Sequence, residues 1–296
     1  IALFRINFIM FENYNIHVSR IRGLMSLKSN ILFLSFILSL FFIHLSKAQG
    51  VYAPVNSEYN NLIQRYEIQS NQTNSQIHTA FKPYRRIDIV ETFDNDSLFT
   101  SRSDKFNRNY YLNDNHEWTD SLGNSDKPIL KHFYRKKANA YYFNHENQFE
   151  IHADPIVHFE IMNENLNDER GLFLNNELKS NNSLYRNTRG AIIRGMINKK
   201  IGFYSSITEN QIRFPNYVKR YTSDIKAIPG VGFLKNFGDG ENDYFIARGY
   251  ITAQATKNIN IQFGHDQNFV GDGFRSLILS DFATPYLFLQ VETKIW

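Results

Sequence analysis

The chain of 296 residues contains no cysteine. Disulfide frameworks, thiolate metal sites and thiol nucleophiles are therefore excluded. Net charge is also missing beyond the amino-terminal end: residues 1–48 carry five basic side chains and one acidic one, which leaves 28 basic and 28 acidic residues in the rest. Proteins that bind nucleic acid concentrate Lys and Arg on one face. A neutral chain lacks that electrostatic footprint, so we expect no nucleic acid among its partners.

Long apolar runs are scarce as well. The apolar segment Ile31–Leu45 has 15 residues, whereas a membrane-spanning helix needs about 20. Lys28 precedes it and Ser46–Ala48 follows it, which is the layout of a secretory signal peptide cleaved after Ala48; an uncleaved membrane anchor is the alternative. We interpret residues 1–24, which do not begin with Met, as upstream translation outside the protein, and residues 25–48 as the signal peptide.

Residues 49–147 have a mixed pattern, which predicts a small amino-terminal region with short helices. Apolar residues recur at helical spacing in Ser57–Ile68, and Lys127–Lys137 has a proline at a helix start. Between them, Arg85–Val90 is interpreted as a short strand. Asp94–Asp126 is polar with scattered aromatic residues, which indicates a loop.

Residues 148–296 alternate between apolar and polar side chains, which is the period of a β-strand. In Gln148–Met162 every odd position is apolar. Asn198–Lys200 and Lys257–Asn258 predict short hairpin turns. Several runs have about ten residues, the length of a tilted transmembrane strand. The further runs are Thr188–Ile197, Ile201–Thr208, Tyr244–Thr256, Asn258–Phe263 and Pro285–Trp296.

The connections between these runs differ in length. Short turns contrast with the long links Glu209–Asp243 and Asp266–Thr284, and outer-membrane barrels have short periplasmic turns and long external loops. A mean hydropathy of −0.42 with 15% aromatic residues suits a barrel, in which every second residue faces lipid. The sequence therefore predicts an all-β, antiparallel fold over residues 148–296. The pattern alone leaves two architectures open: an outer-membrane β-barrel, and a secreted β-sandwich for carbohydrate binding or adhesion, which also alternates.

The last run ends at Trp296 with no later strand to pair with. A sheet left open in lipid would expose backbone groups at several kcal/mol each. We therefore expect the final strand to have a free edge. We also expect the chain to be a C-terminally truncated fragment whose barrel is incomplete.

The segment Phe263–Asp281 combines three glycines with opposed charges. Glycine permits backbone angles closed to other residues, which favours an ordered turn over a linker. Arg275 stands near three aspartates in the sequence, and a guanidinium beside carboxylates forms charge-assisted pairs. We predict that Arg275 contacts at least one of Asp266, Asp272 and Asp281.

The same segment carries a motif that resembles the capsule-assembly Wzi family, particularly its gliding-motility, RemB-like branch. A strand ending in Thr293-Lys294-x-Trp296 follows the motif, and both Tyr52–Ile68 and Lys82–Arg85 resemble the start of mature family members. The motif residues are Gly264, His265, Asp266, Phe269, Gly271, Gly273, Arg275, Ser276, Leu277, Ser280 and Asp281.

The resemblance implies a bacterial outer-membrane barrel with a helical bundle near its amino terminus. It implies a surface protein that binds or organises extracellular or capsular polysaccharide, with a link to gliding motility. Outer-membrane lipid and polysaccharide are then the expected partners, with cell-surface motility or export proteins as further ones. An outer-membrane porin or transport channel is the alternative. Aromatic and amide residues in the long links suit a sugar ligand: Phe214, Tyr217, Tyr221, Asn236, Phe237 and Asn242.

No catalytic motif stands out: the chain has no Gly-x-Ser-x-Gly elbow, no His-Glu-x-x-His and no phosphate loop. We expect no enzyme activity, no cofactor, no catalytic residues and no metal. Three groups of polar residues contain the residue types of a metal or catalytic site, but we favour a structural role for each. They are the strand face of His152, Asp154, His158 and Glu160; the calcium-like spacing of Asp239, Glu241 and Asp243; and the loop cluster of His265, Asp266, Asp272, Arg275 and Asp281.

Overall fold

The computed structural model describes residues 2–9, 50–56, 59–70, 77–93, 99–119, 140–145, 148–164, 183–237, 241–256 and 258–295. The predicted signal peptide, the predicted helix Lys127–Lys137, Asp239 and Lys257 lie outside these residues.

The described chain contains thirteen strands and four α-helices, named here in chain order. The strands are β1 (Ala2–Ile9), β2 (Phe81–Lys82), β3 (Tyr141–His145), β4 (Phe149–Asn163), β5 (Ser183–Ile197), β6 (Ile201–Arg213), β7 (Ala227–Ile228), β8 (Gly232–Phe233), β9 (Lys235–Phe237), β10 (Glu241–Thr256), β11 (Ile259–Asp266), β12 (Phe269–Val270) and β13 (Tyr286–Ile295). The helices are α1 (Tyr59–Ser70), α2 (Arg86–Phe93), α3 (Arg102–Asp114) and α4 (Asn216–Ile225), with one 3-10 turn at His116–Trp118.

Nine strands form one antiparallel sheet, here called the main sheet. Its order is β1-β13-β11-β10-β6-β5-β4-β3, and β9 pairs with the amino-terminal end of β10. The antiparallel all-β class is confirmed. The sheet is open, because within the described residues no pairing joins β3 to β1. Apart from β1, the first strand of the main sheet along the chain is β3, which begins at Tyr141, before the predicted boundary at residue 148.

The predicted hairpins are confirmed. β5 and β6 meet across Asn198–Lys200, where Asn198 and Lys199 have φ of 50° and 51° and Lys200 N donates to Ile197 O at 3.0 Å. Positive φ at both central residues matches the right-handed twist of the strands. β10 pairs with β11, Ile251 lying opposite Phe263.

Short and long connections lie at opposite ends of the main sheet. The β3–β4, β5–β6 and β10–β11 turns share one end, where Asn198 N donates to Gln148 O at 2.5 Å and Gln254 N to Lys200 O at 3.4 Å. The links after Asn163, Arg213 and Asp266 leave from the other end. This end is called the long-link end below.

The final strand is not a free edge. β1 pairs antiparallel with β13 over eight residues, from Ala2 opposite Ile295 to Ile9 opposite Phe288. The expectation of an unpaired strand at the carboxyl end is therefore wrong for this chain. The interpretation of residues 1–24 as upstream translation stays a prediction.

The two faces of the main sheet are inverted relative to a water-soluble sheet. Even-numbered residues of β4–β6, β10, β11 and β13 form one face, here the covered face, where polar side chains such as His152, Arg194 and Gln262 are buried. Odd-numbered residues form the outer face. Large apolar side chains are exposed there, including Val157 at 79% and Ile161 at 74%. The apolar side of each predicted strand thus faces outward.

Residues 50–119, as far as they are described, form a compact unit called the N-terminal unit. Its aromatic core contains Ile63, Tyr66, Ile89, Phe93, Phe99 and Tyr111. The rings of Tyr66 and Phe99 pack edge to face at 4.6 Å, and those of Phe93 and Tyr111 stack at 5.3 Å. The predicted helix Ser57–Ile68 is confirmed as α1.

Two predictions in the N-terminal unit are wrong. Arg85–Val90 does not form a strand, because Ile89 and Phe93, one helical turn apart, both enter the aromatic core as part of α2. The stretch Asp94–Asp126 is not all loop, because it contains α3. Ser101 caps α3 by accepting from Asp104 N at 3.1 Å, and a Ser-x-x-Asp pattern is a known signal of a helix start.

Candidate functional site

The N-terminal unit lies on the covered face of the main sheet, and the contacts between them form two polar clusters. The tyrosine cluster contains Tyr52, Tyr204, Tyr250, Asn260 and Glu292. The histidine cluster contains His116, Glu117, Glu150, His152 and Arg194. Both clusters consist mainly of buried polar side chains that join separate parts of the chain.

The tyrosine cluster joins the start of the N-terminal unit to three strands. Tyr52 N donates to the Tyr250 hydroxyl at 2.8 Å, which lies 3.2 Å from Tyr52 O. The Tyr52 hydroxyl donates to Glu292 Oε2 at 2.9 Å and accepts from Asn260 Nδ2 at 2.6 Å. Tyr204 stacks on Tyr250 with ring centroids 5.0 Å apart. Tyr52 is therefore fixed through its backbone and its hydroxyl at once.

A buried ion network lies beside Tyr52. Arg85 donates to both oxygens of Asp88, at 2.6 and 2.8 Å, and its Nε lies 3.8 Å from Glu292 Oε1. Burial acts to lower the pKa of Arg85, but the two carboxylates outweigh it and raise the pKa above its ordinary value. Arg85 thus stays charged, and α2 is tied to β13.

The histidine cluster joins the 3-10 turn to β4 and β5. Arg194 Nε lies 3.2 Å from Glu117 Oε1, and Arg194 Nη2 donates to Asp114 O at 2.6 Å. His152 Nε2 lies 3.1 Å from Glu150 Oε1. The His116 and His152 rings are 5.1 Å apart. All of this is buried, with His116 at 5% and His152 at 2% exposure.

Burial and neighbouring charges shift the pKa values of two residues of the 3-10 turn, His116 and Glu117. Burial lowers the pKa of His116 more than the neighbouring Glu117 carboxylate raises it, so His116 is held neutral. For Glu117, burial acts to raise the pKa, but Arg194 together with the other cationic neighbours lowers it below its ordinary value. The turn therefore presents a neutral imidazole beside a carboxylate.

The predicted strand face of four polar residues does not converge on one point. Of these residues His152 alone enters the histidine cluster. Asp154 Oδ1 accepts from Ala140 N at 2.6 Å, while His158 Nε2 lies 3.5 Å from Glu160 Oε2 in a more exposed position. Of the calcium-like spacing, Asp239 lies outside the described residues, and Glu241 pairs with Arg213 at 2.6 Å.

The glycine-rich motif folds against the N-terminal unit. β12 pairs with β2, Gly271 N donates to Ala80 O at 2.7 Å, and Lys82 Nζ lies 4.5 Å above the Phe269 ring. Gly264 allows a close approach, because a Cβ there would lie 2.3 Å from the Tyr250 Cβ. These glycines therefore serve close packing between strands and loop.

The predicted brace of Arg275 is confirmed. Arg275 Nη1 lies 2.6 Å from Asp281 Oδ2, and Ser280 Oγ donates to Asp281 Oδ1 at 2.9 Å. Asp266 takes a different partner, because its Oδ1 accepts from Gln267 N at 2.8 Å and lies 3.7 Å from Arg248 Nε. Of the predicted polar loop cluster, Arg275 and Asp281 form one pair, while Asp266 pairs with Arg248 outside it.

Some of the remaining motif residues make hydrogen bonds, and others are exposed to solvent. His265 Nδ1 lies 3.1 Å from Ala247 O on the exposed side of β11. Ser276 Oγ donates to Val270 O. Leu277 and Gly273 are exposed. The motif therefore contributes packing and turn contacts more than one shared site.

Gln267, which is not among the residues predicted from the sequence, organises the long-link end. Its buried Nε2 donates to Gly230 O at 2.8 Å, Asp281 O at 3.1 Å and Ala283 O at 2.5 Å. One side-chain amide thereby joins the β7–β8 hairpin to the end of the motif. A lone glutamine carries no local sequence signal for such a role.

Aromatic and apolar side chains are exposed at the long-link end. Phe214, one of the predicted sugar-contacting residues, is buried, and the amide of Asn242 donates to Asn236 Oδ1 at 3.1 Å. The exposed members are Tyr217, Tyr221, Phe233, Phe274, Leu277, Ile278 and Phe282.

Comparison with models of known protein families, with curated proteins and with solved structures gave no match. None of the helices within the described part of the chain combines the length and the apolarity of a membrane crossing.

We expect Tyr52→Phe to loosen the N-terminal unit from the main sheet. The substitution leaves Asn260 and Glu292 without the hydroxyl that joins them, at a cost of about 1–3 kcal/mol. Hydrogen exchange should then be faster for the amides of residues 50–56 and α2 in the full chain. Tyr217→Phe is the control, because Tyr217 is exposed on α4. Unchanged exchange in Tyr52→Phe would contradict this assignment.

We expect Gln267→Glu to disturb the long-link end far more than Arg275→Gln. A carboxylate at residue 267 would face three carbonyl oxygens while buried, which costs several kcal/mol. The Arg275 pair is half exposed, and such pairs contribute about 0–1 kcal/mol. Urea unfolding and protease cleavage within residues 227–233 would measure both. Equal effects would show that Gln267 has no special role.

Proposed function

We propose that the chain is a membrane-inserted β-sheet protein of the bacterial outer membrane whose covered face is filled by the N-terminal unit, and that its long-link end binds extracellular polysaccharide. The observation that carries this proposal is the inversion of the two faces of the main sheet. Polar side chains are buried against protein, while apolar side chains are exposed.

The outer face supports contact with lipid. It presents apolar side chains on six neighbouring strands, and a lipid-facing strand of a membrane barrel alternates apolar outside with polar inside. A contiguous apolar surface of this kind is rare on soluble monomers. The exposed members include Phe149, Val157, Phe159, Ile161, Ile193, Ile197, Ile201, Ile207, Phe245, Ile251, Phe263 and Leu287.

The position of the turns supports one orientation. Short turns at one end and long links at the other match the periplasmic and external ends of outer-membrane barrels. The N-terminal unit then lies on the lumen side. In this orientation the long-link end faces the outside of the cell.

A secreted β-sandwich fits less well. A sandwich buries the apolar face of its sheet against a second sheet. Here the apolar face has no second sheet against it within the described residues, and the polar face is the one that is covered. The soluble alternative would need a large partner over the outer face.

An open porin is also disfavoured by the position of the N-terminal unit. The tyrosine and histidine clusters fix this unit on the face that would line a channel. Removing it would leave residues such as Arg194 and Glu292 without their partners. We infer that a barrel completed from this sheet would have a plugged lumen, and hence a binding function over transport.

The polysaccharide ligand rests on the family resemblance and on the long-link end. Exposed aromatic rings stack on the apolar faces of sugars, and neighbouring amides and carboxylates pair with hydroxyls. Tyr217, Tyr221 and Phe274 supply exposed rings at this end.

Single-cysteine labelling tests the membrane assignment, because the native chain has no cysteine to interfere. We expect a fluorophore at Val157→Cys or Ile251→Cys to be quenched by lipid-attached quenchers after reconstitution into vesicles. The same fluorophore at Lys199→Cys or Phe274→Cys should be quenched from water instead. Aqueous quenching at all four positions would refute insertion of the main sheet.

Conductance and sugar binding test the function of the inserted protein. We expect the chain in a planar bilayer to show no large open conductance, and to bind purified capsular polysaccharide in a vesicle co-sedimentation assay. Tyr217→Ala with Phe274→Ala should weaken that binding several-fold, whereas Ile251→Ala on the outer face should not. A large steady conductance without sugar binding would favour the porin.

A further inference from the structure

We propose that the histidine cluster is a binding site for one divalent transition-metal ion of the zinc class, which joins the N-terminal unit to the main sheet. The 3-10 turn supplies His116 and Glu117, and β4 supplies His152. This inference does not rest on the proposed function, because the two parts of the chain meet here whether or not the outer face lies in lipid.

The geometry brings three ligand side chains, two imidazoles and one carboxylate, close together. One ligand atom from each of His116, Glu117 and His152 lies within 4.8 Å of the others. Ligands of tetrahedral zinc, at about 2.0–2.2 Å from the ion, lie about 3.4 Å from one another. Side-chain rotations that move each atom by roughly 1 Å would therefore close the site.

His116 is prepared for this role by its surroundings. Its Nδ1 lies 3.3 Å from Asn113 O, which favours a proton on that nitrogen, and its Nε2 is buried with no hydrogen-bond partner within the described residues. A buried imidazole nitrogen without a partner is unusual. A metal ion is a direct way to satisfy its lone pair, because neutral imidazole is a common metal ligand.

His152 has the outer contact that metal-binding histidines usually have. Glu150 Oε1 lies 3.1 Å from its Nε2. In metal sites a carboxylate next to the imidazole fixes the orientation of the ring and increases its basicity. Glu150 would thus be a positioning residue, not a ligand.

The set of ligands selects the class of ion. Two imidazoles with one carboxylate suit zinc and its transition-metal neighbours, whereas calcium and magnesium prefer oxygen ligands alone. A gap beside Glu117 and His152, bordered by Val51 and Trp118, is too narrow to hold a water molecule. Because a water cannot complete the coordination, Glu117 would bind through both carboxylate oxygens, which gives the four ligands of a closed, structural site.

Arg194 is the main competitor for Glu117, and the local charge still leaves room for a cation. Arg194 lies 3.2 Å from Glu117 Oε1 and also contacts the backbone oxygen of Asp114. Around the cluster two side chains are positive and three are negative, which leaves one net negative charge: Arg86, Arg194, Asp114, Glu117 and Glu150. A bound ion would require Arg194 to keep Asp114 and share Glu117.

Zinc binding by the full chain tests the proposal. After treatment with a chelator, the refolded wild-type chain should bind one Zn²⁺ ion in competition with a chromogenic chelator. His116→Gln and His152→Gln should each weaken binding at least tenfold, and Glu150→Gln about tenfold. His158→Gln is the matched control on the same strand, and it should bind as the wild type does.

The proposal would be overturned if the wild type bound no zinc above background. It would also be overturned if His116→Gln bound zinc with the same affinity as the wild type. Equal losses in His158→Gln and His152→Gln would also overturn it, since they would indicate nonspecific binding.

A spectroscopic measurement on the wild type avoids dependence on variants that fold poorly. Co²⁺ in place of Zn²⁺ should give the visible absorption of a four-coordinate site with nitrogen ligands. Zinc should also slow protease cleavage between the N-terminal unit and β3 by at least several-fold. A six-coordinate cobalt spectrum, or cleavage rates that do not depend on zinc, would refute a metal that joins the two parts.

Discussion

Polar side chains on the covered face can remain buried because the N-terminal unit supplies their hydrogen-bond partners. An unpaired polar group in a dry interior costs several kcal/mol, and a buried ion without its counter-ion costs more. Tyr52 satisfies Asn260 and Glu292 together, and Asp114 with Glu117 satisfies Arg194. Gln290 still has both amide atoms unpaired within the described residues, so the covering there is incomplete. The main sheet and the N-terminal unit consequently depend on each other for stability.

The long strands and their turns could be predicted from the sequence because alternation is a local property. Successive side chains of β4 point alternately to the two faces of the sheet, and this period of two is visible in the sequence of Gln148–Met162 alone. Turn chemistry is local too, so Asn198–Lys200 could be placed without knowledge of the rest. The sequence could not say which face is buried, because an apolar row fits a soluble core as well as a lipid surface. Exposure of Val157 and burial of His152 show that the polar face is the covered one.

The errors in the N-terminal unit have a common physical cause. Arg85–Val90 is a short run rich in branched apolar residues, for which periodicity alone does not separate helix from strand. The segment is helical because a helix places Ile89 and Phe93 together in the aromatic core. The two clusters were missed for another reason: Tyr52 and Tyr250 are 198 residues apart, and no local pattern relates them. His116 likewise joins a polar cluster only because the fold places the 3-10 turn next to His152.

The long-link end is held from the side of the N-terminal unit as well as from the strands. β12 pairs with β2, and Gln267 joins the end of the motif to the β7–β8 hairpin. The backbone that carries the exposed rings is therefore held in place. A ligand would bind a preformed surface, which lowers the conformational-entropy cost of binding. A metal in the histidine cluster would act at the other side of the same unit. The fixed placement of one small unit would then govern both stability and binding.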